Sequence, residues 1–333
     1  MIYFICQEWE STKGNHAGMV HLFVQLHNLD GTNIKLFVLP ERNGVFRYAL
    51  VWLYLLLKLL VKLNATDVVI FSECLSMRKV DQTRMACLIK KIKPKVQTIG
   101  IVHLIPSLLE ALYPQKKYKR MLAPLDKVVT LGTSLTSYLH SFGVEKNKLF
   151  TSFHYVDSGY YDYERKNAVN KNILECIVLG NLGRDFSKIA DIVRGVPKIK
   201  FLICKGRKNV EAYFSNIANV ELFGYLEEKQ LVELMKRADI SLNVMEDTIG
   251  SNVICTSLAM SLAMVCSDVG SIRDYCDIDN SCFCKTTDDF IDALNILASN
   301  IKLVESMQKH SYELSNRLHI EKFYKDLKQI ISK

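Results

Sequence analysis

Short apolar runs alternate with longer stretches of helical periodicity along most of the chain. In the first half the runs Met1–Cys6, Ile34–Leu39, Asp67–Phe71, Gln97–Val102 and Lys127–Leu131 predict buried strands. Between them Met19–Leu29, Val45–Leu63, Arg78–Ile92 and Ser134–Ser141 predict helices. Strict alternation of this kind implies a parallel sheet covered on both faces. The polar, aperiodic Ser158–Asn172 is the expected interdomain linker. A second series follows, with strands at Leu174–Leu179, Ile199–Cys204, Asn219–Leu222, Ile240–Val244 and Ala263–Cys266. Its helices are expected at Asp185–Arg194, Asn209–Asn216, Glu227–Arg237 and Asn252–Leu262, and Asp288–Ala298 and Lys302–Lys333 close the chain as helices. The pattern is that of two α/β domains, as the length of 333 residues also suggests.

One helix departs from the pattern. Val45–Leu63 is apolar without a break between Arg47 and Lys58, too short to span a bilayer. A helix apolar all round is usually buried, and burial is the expectation here. Its flanking Arg47, Lys58 and Lys62, with Trp52 and Tyr54, also suit a surface in contact with a membrane interface.

Composition narrows the function classes. Apolar residues make up 49% and charged ones 23%, so an ordinary folded chain is expected rather than a disordered one. The net charge of +8 suits anionic partners, but no zinc-finger or RNA-binding signature directs it to nucleic acid. The ten cysteines form no CxxC pair, which gives a zinc site no support and favours reduced, buried thiols in a cytoplasmic protein. A cleaved signal peptide is not expected, since the chain opens on strand-like residues.

Candidate chemistry sits where strands end, because α/β sheets bind ligands at their carboxyl edge. After the first strand, the loop containing Gly14, Asn15, His16 and Gly18 permits close backbone approach. His103 directly follows another strand. In the second half Gly180 and Gly183 precede Arg184, a combination that can hold a diphosphate through backbone N–H groups and a guanidinium. Lys188, Lys205 and Arg207 add cations near the same predicted edge. Gly250, Ser251, Asn252 and Val253 open a capped helix whose free N–H groups and dipole suit a phosphate or sugar oxygen. An ordinary capped helix and solvated surface cations would read the same way. Glu246, Asp247, Asp268 and Asp274 are the acidic candidates nearby, and no Ser/His/Asp triad, Walker loop or HExxH is present.

The segment SLAMSLAMVCSDVGSIRDY resembles the helix–strand–loop of family-4 retaining glycosyltransferases with the GT-B fold, usually written E-A-M-A-x-G-x-P-V-V-A-S-D-V-G-G-x-x-E. LEEKQLVELMKRADISLNV, VVTLGTSLTSYLHSFGV and HYVDSGYY are similar to further segments of that family, so the resemblance covers most of the chain. It implies two Rossmann-like domains facing each other across a cleft. Residues 1–157, with a terminal helix of about 317–333 crossing back, would bind the acceptor. Residues 173–316 would bind the nucleotide sugar, and 158–172 would link the two. Carried over residue by residue, Arg184 with Lys188 or Lys205 stabilises the diphosphate leaving group without a metal, and His103 lies near the donor sugar. The Gly14–Gly18 loop lies toward donor and acceptor. The implied activity is sugar transfer to a glycan or lipid-linked saccharide in bacterial surface polysaccharide synthesis, at the cytoplasmic membrane face, with no cofactor beyond the donor. The family commonly carries two glutamates separated by seven intervening residues, where this chain has Thr248 and Thr256. Asp247 or Glu246 could replace the first, and Thr256 could offer ribose one neutral hydrogen bond. A catalytically silent, glycan-binding relative is the alternative that this departure raises.

Overall fold

The structure, a computed structural model, describes residues 1–9, 14–41, 44–76, 81–165, 173–180 and 184–333, with only the backbone of Val45. The chain divides into two compact units, Met1–Tyr155 with Ile320–Lys333, and Val156–His319.

The first unit is a six-stranded sheet of β1 (Ile2–Gln7), β2 (Ile34–Leu39), β3 (Val68–Phe71), β4 (Gln97–Val102), β5 (Lys127–Thr130) and β6 (Leu149–Thr151). Its order is β2-β1-β3-β4-β5-β6 and every pairing is parallel, with Ile2 facing Ile34 on one side and Val68 on the other. The central strands are buried on both faces, which is why they read as continuous apolar runs. On one face Leu22, Phe23 and Leu26 of helix Gly18–Leu29 form a single core with Phe4, Ile99 and Val129 of the sheet. The terminal helix Ile320–Ser332 adds Phe323, Leu327 and Ile330 to that core. Lys127 finishes the docking, its Nζ donating to the carbonyls of Ile330 at 2.6 Å and Ile331 at 2.9 Å. A cation there answers both the unpaired carbonyls and the negative end of the helix dipole.

The second unit repeats the plan with β7 (Glu175–Val178), β8 (Lys200–Cys204), β9 (Val220–Phe223), β10 (Ile240–Asn243), β11 (Ala263–Ser267) and β12 (Ser281–Cys284). The order is β12-β11-β10-β7-β8-β9, again all parallel. The chain moves outward from β7 to β9 and then returns to the other side of β7 with β10. The boundary between β7 and β10 is therefore the switch point at which such sheets open a crevice.

Three expectations change. The burial expected for Val45–Leu63 does not hold: the helix, Val45–Lys62, packs over the edge strand β2 and only one side of it is covered. Tyr48, Leu56 and Leu59 face inward, whereas Phe46 is 78% and Val61 86% exposed. The helix expected from Arg78 begins at Thr83, because Asp81 accepts hydrogen bonds from the Thr83 backbone N–H and hydroxyl and so ends the preceding loop; residues 77–80 lie outside the described residues. The segment expected as a linker is, over residues 158–165, part of the second unit. The Tyr163 N–H donates to Ala259 O, Tyr163 O accepts from the Ser261 hydroxyl, and Arg165 reaches the buried Asp239 at 3.6 Å. Residues 166–172 lie outside the described residues.

Candidate functional site

The switch point in the second unit gathers more of the candidate residues than any other place. β7 ends at Val178, and Gly180 follows with φ +81°, a left-handed conformation that glycine adopts without strain. A Cβ there would stand 3.5 Å from Val253 Cγ2 and 3.8 Å from Arg184 Nε, so the turn lies directly against both. Gly183 lies outside the described residues.

Arg184 is held by backbone. It forms an isolated antiparallel bridge with Met245 just beyond β10. Its Nε donates to Leu179 O at 3.2 Å and its Nη2 to Asn243 Oδ1 at 3.4 Å. Both acceptors are neutral. Burial pulls its pKa from 12.5 down to about 10, and no carboxylate contributes to the shift. At neutral pH the guanidinium is still charged, so the fold holds a partly buried cation that, among the described residues, has only dipoles to compensate it. Such a group is under strong drive to take an anion.

Across from it, helix Asn252–Ala259 begins at Ser251, whose Oγ accepts from the Ile254 N–H at 3.3 Å. Ser251, Asn252 and Val253 are all partly exposed, which leaves the helix N-terminus open to a ligand. The preceding turn has φ +84° at Gly250, and a Cβ there would come within 2.4 Å of the Tyr275 ring. Only glycine lets the chain pass under that ring and enter the helix. Gly270, with φ +55°, similarly allows the Val269–Ser271 turn to lie on Thr248.

The two threonines are committed locally. Thr248 is buried, and its Oγ1 accepts from the Gly250 N–H at 3.1 Å, closing the turn. Thr256 donates to its own helix, to Asn252 O at 2.7 Å. Asp247 accepts from the Thr248 N–H at 2.7 Å and is half-buried, and desolvation raises its carboxyl pKa. Asp268 is paired with Arg273 at 2.8 Å, which holds its carboxyl below the usual range, while Glu246 is exposed.

The other cations of the group have partners of their own. Lys205 follows β8 at the same edge but is bound to Glu211 at 2.7 Å. Arg207 is exposed and lies over the Tyr225 ring, 5.3 Å from its centroid. Lys188 donates to Lys285 O at 3.3 Å, beside the far edge strand β12. Of the four, Arg184 alone is shown against Gly180 and Val253. Asp277, Asp279 and His310 of this unit come close enough to share an ion, but they lie away from this edge and Asp277 is already joined to His310 at 3.0 Å.

In the first unit His103 follows β4 at its carboxyl edge. Its Nε2 is 3.6 Å from Glu73 Oε2, a carboxylate with 5% of its side chain exposed, and its Nδ1 is buried without a hydrogen-bond partner among the described residues. His154 lies next to it, partly buried, and desolvation together with the neighbouring His103 lowers its pKa to about 3. Sequence reasoning missed Glu73 and His154. Glu73 had a signal, since it stands two residues after the run ending at Phe71, at the same kind of edge that singled out His103. His154 lay inside a segment noted only for its resemblance. In the first loop Gly14 and Gly18 have φ +79° and +88°, open space around them, and Asn15 and His16 half-buried between; His16 is 5.0 Å from the ring of His21.

Residues 179–300, which contain the switch-point site, match the sequence model of the family described as Glycosyl transferases group 1. No curated protein matches the chain in sequence. A glycosyltransferase structure from Rickettsia africae superposes with a TM-score of 0.72 at 12% identity, covering 99% of this chain and 98% of that one. Anabaena HepE, solved with UDP, gives 0.72 at 10% identity over 99% of both chains. Sucrose-phosphate synthase from Thermosynechococcus elongatus gives 0.75 at 10% identity over 100% of this chain and 98% of that one. The chain therefore has the GT-B glycosyltransferase fold, and its second unit resembles the group 1 glycosyl transferases.

Proposed function

We propose that the protein is a retaining glycosyltransferase. It moves a sugar from a nucleotide-sugar donor to a glycan or lipid-linked saccharide in the cytoplasm, in bacterial surface polysaccharide synthesis. The observation that carries the proposal is Arg184, a partly buried guanidinium with no carboxylate partner among the described residues, beside Gly180 and Val253 at the sheet's switch point. A nucleoside diphosphate supplies the missing anion. In the reaction the bond from the anomeric carbon to the diphosphate oxygen breaks, and the electron pair leaves with the diphosphate. The acceptor hydroxyl takes its place, and its proton goes to the departing diphosphate. Charge develops on that leaving group, and in this reading Arg184 with the N–H groups of helix Asn252–Ala259 stabilises it. This chemistry asks for no metal cofactor. HepE has been solved with UDP-glucose, which supports a donor of this class. The second unit is given the donor, and the first the acceptor, with the Gly14–Gly18 loop as the acceptor's candidate contact and His103 as the residue that the family resemblance assigns to the donor sugar. Retention of configuration and the polysaccharide pathway rest on the family resemblance.

The test is a melting-temperature screen with UDP, GDP and dTDP. Saturation at about 100 times Kd stabilises a protein by roughly 2.7 kcal/mol. A rise with one nucleotide, lost in Arg184→Gln, is expected together with sugar transfer from the matching donor. The local commitment of Thr248 and Thr256 favours a second reading, a GT-B protein that binds glycan without turnover. Absence of both nucleotide stabilisation and turnover would select it.

A further inference from the structure

The helix Val45–Lys62 presents to solvent an apolar face that its own unit leaves uncovered. At about 100° per residue, Phe46, Leu50, Leu53, Leu57 and Val61 fall within an arc of about 80°. Their exposures run from 47% to 86%, and Tyr54, 61% exposed, lies at the edge of the same arc. The ridge extends over roughly 22 Å at 1.5 Å per residue. Scattered exposed leucines are ordinary on a protein surface, but a continuous ridge of this length is not.

The charges along the ridge identify what covers it. Arg47, Lys58 and Lys62 are exposed and follow one another down one edge of the apolar arc, and the helix contains no acidic residue. Lys58 lies 5.7 Å from the ring centroids of Tyr54 and Phe37, so its ammonium is held close to the apolar surface. The adjacent helix Thr83–Ile92 packs beside this one and ends in Ile92, 57% exposed, with Lys91 and Lys95 exposed on either side in sequence. A second copy of the chain would be a poor occupant. A two-fold pairing of this helix would bring cations against cations with no carboxylate on either helix to separate them. The helix is not long and apolar enough to cross a bilayer.

We propose that this face docks the protein on an anionic phospholipid bilayer, with the apolar ridge at the boundary of headgroups and acyl chains and the cationic edge against lipid phosphates. The inference is independent of whether the chain transfers sugars.

The experiment is co-sedimentation of the full chain with vesicles of phosphatidylcholine alone and of phosphatidylcholine with phosphatidylglycerol. Binding is expected to the anionic vesicles and to fall as salt is raised. Lys58→Gln and Lys62→Gln should each weaken it about five-fold, and Leu50→Ser and Leu57→Ser on the order of ten-fold each. These positions face solvent, so melting temperatures should not change. Tyr54→Trp should show a blue-shifted emission on anionic vesicles only. The proposal is overturned if neither vesicle binds the protein, or if binding is indifferent to all four substitutions. Self-association at sedimentation equilibrium that Leu50→Ser and Leu57→Ser abolish, without vesicle binding, would also overturn it and assign the ridge to a second copy.

Discussion

Arg184→Met should have opposite effects on the empty and the nucleotide-bound protein. Burial lowers the Arg184 pKa from 12.5 to about 10. The folded value lies below the unfolded one, so at neutral pH, where both states are charged, the group opposes folding. At about 1.4 kcal/mol per unit, that opposition is on the order of 3 kcal/mol, and it is relieved only as pH rises from about 10 toward 12.5. Methionine keeps most of the volume and removes the charge, but gives up the hydrogen bonds to Leu179 O and Asn243 Oδ1. Each is worth about 0.5–1.5 kcal/mol. The net expectation is between no change and a gain of about 2 kcal/mol in the empty protein, or at most about 4–8 °C in Tm for a unit of this size. Binding moves the other way, because loss of one charge-assisted donor to a diphosphate costs about 2–4 kcal/mol. Differential scanning fluorimetry with and without nucleoside diphosphate reads both effects, and a transfer assay reads the third, a fall in kcat on the order of 100-fold or more. An empty variant that melts below the wild type, together with an undiminished nucleotide shift, would refute the assignment of Arg184 as an anion receptor.

Gly250→Ala combines a left-handed backbone with a Cβ that meets the Tyr275 ring, and should cost about 2–5 kcal/mol by urea unfolding; a change below about 0.5 kcal/mol would contradict the tight passage beneath the ring. Thr256→Val should leave nucleotide affinity within about three-fold, since the hydroxyl proton is spent on Asn252 O; a ten-fold loss in calorimetry would show that the oxygen accepts from the ligand. His154 has a folded pKa of about 3 against 6.5 unfolded, so the unfolded chain takes up the proton first as pH falls. Stability of the first unit should decline between pH 6.5 and about 3, by several kcal/mol, and His154→Phe should flatten that slope in urea midpoints measured against pH. Equal slopes in both proteins would count against a buried neutral histidine.

Much of the architecture was legible in the order of residues. Apolar runs of four to six residues and amphipathic helices are local patterns, and they located the central strands of both sheets with little error at their ends. β6 and β12 were not found: Leu149–Thr151 is only three residues long, and Ser281–Cys284 carries one large apolar side chain, Phe283, whereas the edge strands β2 and β9 have several. The candidate site was partly legible. Gly180, Arg184 and the Gly250–Ser251–Asn252 turn all stand at strand ends, which sequence shows. Whether cations at one edge act together is a question of direction, and direction is tertiary: Lys205 turns to Glu211, Lys188 to Lys285 O, and Arg184 inward to neutral acceptors.

Residue order thus determined two α/β series, their strand-end loops and a capped helix, since each depends on backbone propensity and periodicity within a few turns of chain. Three things depended on distant segments meeting. The return of β10 to the side of β7 set Arg184 against the helix that begins at Asn252. The placement of Val45–Lys62 over an edge strand left half of an apolar helix in solvent, although its composition pointed to burial. The packing of β3 beside β4 brought the buried Glu73 to His103, a pair thirty residues apart that no local pattern could join. In each case the deciding quantity was which neighbour excludes water from a side chain, and only the folded chain supplies that neighbour.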